Sequence, residues 1–142
     1  MRKAKGYTDN FVVHFNGSRN SIVSELGLER IRKLLKVAEK CNLNMCIENL
    51  FSKEEIPYIF KNIKHNRLKI CFDVGHRNFL TPDFDVLGEY GEFVSVLHVH
   101  DNQGKKDDHT IIGEGTIDLD EFAMKLAKCD NIVLSSEVPA PK

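Results

Sequence analysis

The sequence lacks an excess of either charge: 20 Lys and Arg stand against 21 Asp and Glu, for a formal net charge of -1. No global basic field therefore draws the chain to nucleic acid or to a membrane surface, although a local basic patch is left open. Long hydrophobic runs are missing as well. Runs such as Ile132-Val133-Leu134 fall far short of the roughly 20 apolar residues that cross a bilayer, so no membrane span is expected. The basic stretch from Met1 to Tyr7 leads straight into Thr8-Asp9-Asn10 without an apolar signal core, and a cytoplasmic location is expected. No CxxC pair occurs. Cys41, Cys46, Cys71 and Cys129 lie in or beside apolar stretches, which points to buried thiols and away from a disulfide framework or a zinc knuckle. No GxGxxG or Walker loop follows any apolar run, which argues against a nucleotide site. Internal repeats and low-complexity linkers are absent too. With 9 Gly and 4 Pro, collagen-like, fibrous and disordered classes are excluded, and one domain over residues 1–142 is expected.

What is present is a rhythm. Five short apolar runs read as strands: Phe11 to Phe15, Leu43 to Glu48, Leu68 to Asp73, Val94 to His100 and Ile132 to Val138. They are largely continuous, as in strands covered on both faces. Leu28, Ile31, Leu34, Leu35, Ala38 and Cys41 recur at helical spacing, with Lys33, Lys36, Glu39 and Lys40 on the other face. Ser52-Lys53-Glu54-Glu55 fits a capping box that opens a second helix with Ile56, Ile59, Phe60 and Ile63, where Pro57 is tolerated only near the start. A third helix is expected from about Pro82 to Tyr90. Asp118 serves as N-cap of a fourth, with Phe122, Met124, Leu126 and Ala127 as its apolar set. Strands alternating with helices predict parallel pairing, either in an open doubly wound sheet or in an arc of a β/α barrel. The expected class is α/β, a partial TIM barrel of about five parallel strands and four helices. A complete barrel takes about 250 residues, so little more than half of one is present.

Every expected strand carries an acid or an imidazole at or near its C-terminal end: His14, Glu48, Asp73, His98 with His100, and Glu137. That edge of a parallel β/α sheet is where loops build active sites, so these groups are expected to share one cleft. Carboxylates and imidazoles at a buried edge are costly unless something binds them, and a divalent cation meets that need. Asp73 is followed three residues later by His76 across a glycine-containing turn. His98 and His100 stand two apart and face one side, one expected as a ligand and the other as a supporting or substrate contact. The loop Asp101 to His109 is rich in ligand types, and Gly113-Glu114-Gly115 follows it. Purely structural duties compete: Glu48 and Glu137 as solvated acids, Asp73 as a turn cap, the loop as acids balanced by lysines. His65, among Lys64, Asn66 and Arg67, reads as a surface residue at a helix end, and Glu114 is as readily a loop residue.

Taken in order, Cys46-Ile47-Glu48-Asn49-Leu50, Phe72-Asp73-Val74-Gly75-His76, Leu97-His98-Val99-His100-Asp101-Asn102, Asp107-Asp108-His109, Gly113-Glu114-Gly115 and the strand-end Glu137 resemble the xylose isomerase-like TIM-barrel superfamily. That group holds sugar phosphate isomerases and epimerases and the endonuclease IV type of apurinic-site nuclease. The resemblance implies a divalent metal ion, left open among Mn, Zn, Mg and Co, with Glu48, Asp73, His98 and Glu137 as its four ligands. It implies a substrate or second-metal role for His76, and it aligns His14, in Val13-His14-Phe15-Asn16-Gly17-Ser18, with a further zinc ligand of the nuclease. Asp107 and His109 match that enzyme's remaining pair. The family's first three strands have no counterpart, and Met1 falls just before the fourth.

The leading expectation is a metal-dependent sugar or sugar phosphate isomerase or epimerase. In it, proton transfer passes through an enediolate and the resemblance implies Glu48 and Glu137 as the exchanging acids. The alternatives are a zinc-dependent nuclease of the endonuclease IV type and a catalytically silent remnant. A small-molecule sugar is the expected partner in preference to nucleic acid, since phosphate-backbone binding shows as clustered Lys and Arg. Two apolar sheet edges, led by Phe11-Val12-Val13 and Ile132-Val133-Leu134, predict a homodimer that covers the open side of the arc.

Overall fold

The apolar runs pair in chain order. In the computed structural model, which describes residues 7–15 and 24–139, the strands are β1 (Asn10–Val13), β2 (Asn44–Glu48), β3 (Leu68–Asp73), β4 (Val94–Val99) and β5 (Val133–Ser136). The helices are α1 (Glu25–Cys41), α2 (Glu55–Asn62), α3 (Val74–Leu80), α4 (Val86–Tyr90) and α5 (Leu119–Leu126), with a 3-10 turn at Gly91–Phe93. All four strand pairings are parallel, and the sheet order is β1-β2-β3-β4-β5. A doubly wound sheet reverses its strand order at a switch point, whereas a barrel adds each strand to the same side. The unbroken order therefore makes this an arc of a barrel.

Alternation along the strands divides the sheet into two unlike faces. Met45, Ile47, Leu68, Ile70, Phe72 and Leu97 enter the main core with the helices, where Leu28, Ile31, Leu35 and Ala38 of α1 pack. Cys46, Cys71 and Val96, with Val12, form a small separate cluster on the other face. Helix α1 is well specified: Ser24 caps it by accepting from the Gly27 N–H, and Asn42 ends it with a left-handed φ of 55° while its N–H reaches the Ala38 and Glu39 carbonyls. All four cysteines are free; Cys41, Cys46 and Cys71 are buried and Cys129 is half-buried. Burial pushes the Cys46 thiol up to about 12, against a small opposing pull from Lys69. Among the described residues no helix is long and apolar enough to cross a membrane.

Several local expectations are corrected. Ser52 does not build a capping box: its hydroxyl accepts from the Glu54 N–H at 3.2 Å and donates to Glu54 Oε2 at 2.7 Å, and Glu54, the residue before α2, makes no side-chain cap. Pro57 is the third residue of α2, where its missing N–H goes unneeded. The segment after Asp73, read as a turn, is helix α3, with Asp73 capping it by accepting from the His76 N–H at 2.6 Å. That helix stops at Leu80 because Pro82 drives Thr81 out of the helical region, and the helix expected from Pro82 is the shorter α4. β1 and β4 end one residue before His14 and His100. β5, expected to be covered on both faces, is exposed along its length, with Val133 and Leu134 at 54% and 61% exposure. It ends the sheet and pairs only with β4. Met124, assigned to the apolar face of α5, is 65% exposed, while Phe122 and Leu126 are the α5 residues that reach the core.

The core assignment yields a stability test. Ile47→Ala, at a fully buried β2 position, is expected to cost about 2–5 kcal/mol in chemical denaturation, and Met124→Ala to stay within about 0.5 kcal/mol. Equal effects at the two positions would reject the placement of the core.

Candidate metal centre

Where β2 and β3 end, the amide of Asn49 ties the two strands together. Its Nδ2 donates to the Asp73 carbonyl at 2.9 Å, and its Oδ1 accepts from the Asp73 N–H at 2.8 Å. Strand pairing then sets Asp73 opposite His98, and the first turn of α3 swings His76 back over Glu48. Glu48 and Asp73 are both buried, at 2% and 0% exposure, so each needs a partner.

The partners are imidazoles. Glu48 Oε1 lies 3.2 Å from His98 Nδ1 and 3.3 Å from His76 Nδ1, and Glu48 Oε2 lies 2.5 Å from His14 Nε2. His98 Nδ1 is also 3.0 Å from Glu137 Oε1. Glu137 falls one residue beyond β5, and its N–H continues the ladder to the Val99 carbonyl at 3.2 Å. A second cluster adjoins the first. Asp107 Oδ2 stands 3.3 Å from His76 Nε2 and 3.1 Å from His109 Nε2, and the His100 ring stacks on His109 with centroids 3.9 Å apart. All nine residues singled out at the strand ends and in the loop, His14, Glu48, Asp73, His76, His98, His100, Asp107, His109 and Glu137, thus converge. His65 and Glu114 do not: His65 Nδ1 accepts from the Arg67 N–H, and Glu114 is exposed. The open cleft is about 500 Å³, lined by Val12 and seven of these acids and imidazoles, with no lysine or arginine among the described lining residues.

The electrostatics follow from packing these charges together. Burial alone would raise the Glu48 carboxyl, but hydrogen bonds from His76 and His98, the His98 charge and His14 hold it well below the usual carboxylate range. Burial likewise pulls His76 down, yet the Glu48 hydrogen bond and the charges of Asp73, Glu48 and Asp107 lift it to about 9. His98 is raised by Glu48, Glu137 and Asp73, and His100 by Asp73 and Asp107, in each case against burial. One oxygen is left over: Asp73 Oδ2 is buried without a hydrogen-bond partner, 3.8 Å from Nδ1 of both His76 and His98. Glu48, Asp73, His98 and Glu137 each offer a ligand atom, and these atoms lie within 4.8 Å of one another. That donor set, with its orphaned carboxylate oxygen, fits a divalent cation.

Several supporting residues escaped the sequence reading. Asp101, counted there among possible ligands, is instead buried and holds its own loop, accepting from the N–H groups of Asn102, Gly113 and Ile117 at 2.8, 3.0 and 3.4 Å. Gly115 is required there, because a Cβ would come within 2.0 Å of Asp101 Oδ1. Asn102 Nδ2 donates to the Gly75 carbonyl at 2.8 Å and its Oδ1 accepts from the Gly104 N–H at 2.8 Å. These bonds present Asp107 and His109 to the cleft. Asn49 and Asn102 carry no signal of their own; only their places just after the strand-end residues Glu48 and His100 hinted at them.

A barrel arc with acids and imidazoles on its C-terminal edge is the frame of a TIM-barrel ligand site. Residues 9–142 match the family described as xylose isomerase-like TIM barrel, and the chain belongs to that family. An uncharacterized protein of Methanocaldococcus jannaschii is 29% identical over 128 residues, covering 86% of this chain and 48% of the relative. A probable endonuclease 4 of Lachnoclostridium phytofermentans is 25% identical, covering 99% of this chain and 55% of the relative. The chain thus spans about half the length of these curated relatives. A solved D-tagatose 3-epimerase-like protein superposes with a TM-score of 0.78 at 24% identity, over 94% of this chain and 57% of the other. A D-psicose 3-epimerase with D-tagatose, from Clostridium cellulolyticum, does so at 0.63 and 22% identity, over 84% and 45%. These superpositions establish the shared fold.

The raised imidazoles make a pH prediction for chelator-treated protein. His76 titrates near 9 when folded against an ordinary 6.5, so its stabilisation is complete below 6.5 and is lost as pH rises through about 9. Glu48, depressed, contributes above its ordinary 4.5 and fades only at lower pH. Denaturation midpoints are expected to be highest between pH 5 and 6.5 and to fall toward pH 9. A profile that rises across that interval would contradict the cluster as described.

Proposed function

We propose that the chain carries the metal-binding side of a sugar or sugar phosphate isomerase or epimerase, with Glu48, Asp73, His98 and Glu137 as the ligands. The carrying observation is the buried, unpartnered Asp73 Oδ2 inside a four-residue donor set. When bound, the cation supplies positive charge where negative charge develops on adjacent oxygens of a hydroxy-carbonyl substrate. Glu48 and Glu137 flank His98 Nδ1 from two strands, and as carboxylates facing one cleft they exchange a proton at the substrate carbon. His14 and His76 anchor Glu48 and narrow its orientation. The likeness to structures of a D-tagatose 3-epimerase-like protein and a D-psicose 3-epimerase supports the sugar class, and the described lining of the cleft, without lysine or arginine, suits a polyol better than a phosphate backbone.

The nuclease reading keeps one specific observation in its favour. Asp107 bridges His76 and His109 beside the first donor set, an array able to hold more than one cation, and a probable endonuclease 4 is among the relatives. Incubation with abasic-site DNA separates the two: cleavage favours the nuclease, and solvent exchange at a sugar carbon favours the isomerase. Metal binding with neither activity supports the silent remnant. The exposed Val133 and Leu134 of β5 support covering of that edge by a second copy; sedimentation showing a folded monomer at micromolar concentration would remove that part.

Two outcomes test the main reading. Calorimetric titration with divalent cations is expected to show binding that weakens on Asp73→Asn, and no binding by the wild type would end the proposal. Glu48→Gln and Glu137→Gln are each expected to abolish deuterium exchange from solvent into the sugar, because an amide is not a base at neutral pH. A Glu137→Gln variant that still exchanges would remove Glu137 from the chemistry.

A further inference from the structure

Asp73 treats its two oxygens differently. Oδ1 takes the His76 backbone N–H at 2.6 Å and faces His100 Nε2 at 3.1 Å, while Oδ2 takes nothing. A carboxylate only accepts, so His100 Nε2–H is the donor. With both donors on the same oxygen, rotation of the carboxylate would forfeit two hydrogen bonds, and Oδ2 stays turned toward Nδ1 of His76 and His98.

The His100 ring is itself immobilised. It is fully buried, it lies flat against His109 with an interplanar angle of 5°, and it meets the edge of the His76 ring with centroids 6.0 Å apart. On its remaining side the backbone of Gly75 approaches so closely that an added Cβ would stand 2.0 Å from His100 Cε1. Gly75 therefore makes the space in which the imidazole can aim Nε2 at Asp73.

We infer that His100 is a positioning residue: seated against Gly75 and His109, it locks the Asp73 carboxylate so that Oδ2 is presented to the cation. The inference rests on the metal reading above and adds to it a residue that touches neither cation nor substrate. Imidazole donors behind metal-binding carboxylates commonly set ligand orientation, and their loss typically costs about 10–100-fold in metal affinity.

The probe is Co²⁺, followed by calorimetry and by its visible spectrum, which reports the ligand geometry independently of turnover. His100→Leu, which removes the donor, is expected to weaken Co²⁺ binding by about 10–100-fold and to change the visible bands. His100→Gln places an amide N–H near the lost Nε2–H and is expected to restore both. Gly75→Ala keeps the imidazole but displaces it, and is expected to reproduce the loss. In an Asp73→Asn background, adding His100→Leu is expected to change affinity by no more than about twofold, because the effect runs through Asp73. Unchanged binding and spectrum in His100→Leu, when the wild type binds Co²⁺, would overturn this inference and leave the metal reading standing. So would a His100→Gln variant as impaired as His100→Leu, or full additivity with Asp73→Asn. Should His100→Leu not fold, the Gly75→Ala and His100→Gln pair decides by the same criteria. Failure of the wild type to bind Co²⁺ or any other divalent cation would overturn both readings.

Discussion

Two carboxylates taken out of water at neighbouring strand ends have to be neutralised where they stand, and most of the architecture at the C-terminal edge answers that requirement. Glu48 and Asp73 have almost no access to solvent, and an isolated buried carboxylate is among the costliest groups a protein can fold around. Imidazoles from α3 and from the ends of β1 and β4 gather on them, and the charges of Glu48 and Asp73 favour the protonated forms of His76 and His98. On the proposed function, a divalent ion would satisfy the same oxygens in place of the imidazole protons.

The barrel arc makes this arrangement cheap to repeat and accurate. Parallel register sets Asp73 opposite His98, and Glu48 opposite Cys71 two residues earlier on the same face of β3, so that Glu48, Asp73 and His98 meet without any loop having to find its way across the site. Two close approaches refine the result. Gly75 admits the His100 ring and Gly115 admits the Asp101 carboxylate, each at a distance no side chain carbon could share. The outer face carries the large aliphatic residues that stabilise the sheet against its helices, while the inner face below the acids is filled by small groups, Cys46, Cys71 and Val96. Stability and chemistry thus occupy opposite faces of the same strands.

That separation explains what could be read in the sequence. Continuous apolar runs ending in an acid or imidazole disclosed the strands and the strand-end residues His14, Glu48, Asp73, His98, His100 and Glu137, because burial and chemistry leave their marks in different, adjacent letters; His76, Asp107 and His109 were legible from the ligand-rich segments that follow β3 and β4. Helix α3 stayed hidden: Val74-Gly75-His76-Arg77 has no apolar stripe, and its start depends on the Asp73 cap, which is visible only once β3 is known to stop there. The exposure of β5 was hidden for the opposite reason, since Val133 and Leu134 are apolar but pair with only one neighbour. Asn49, Asn102 and Asp101 look like ordinary loop residues, and their roles exist only in the hydrogen bonds they make across the fold.

All four candidate ligands lie within the half-barrel described, although the chain covers only about half the length of its curated relatives. Charge neutralisation at the strand ends therefore does not depend on closing the barrel, whereas an enclosed substrate pocket would call for more wall than the described arc supplies: among the described residues β1 and β5 are its two edges, each paired on one side only. On the proposed function, affinity for a cation and turnover of a sugar would in this way be separable. The first would follow from the register of β2, β3 and β4 and from the bonds that orient Asp73. On the proposed function, the second would need, in addition, a surface that excludes water from Glu48 and Glu137, and Glu137, still 29% exposed, is the residue on which that difference would fall most directly.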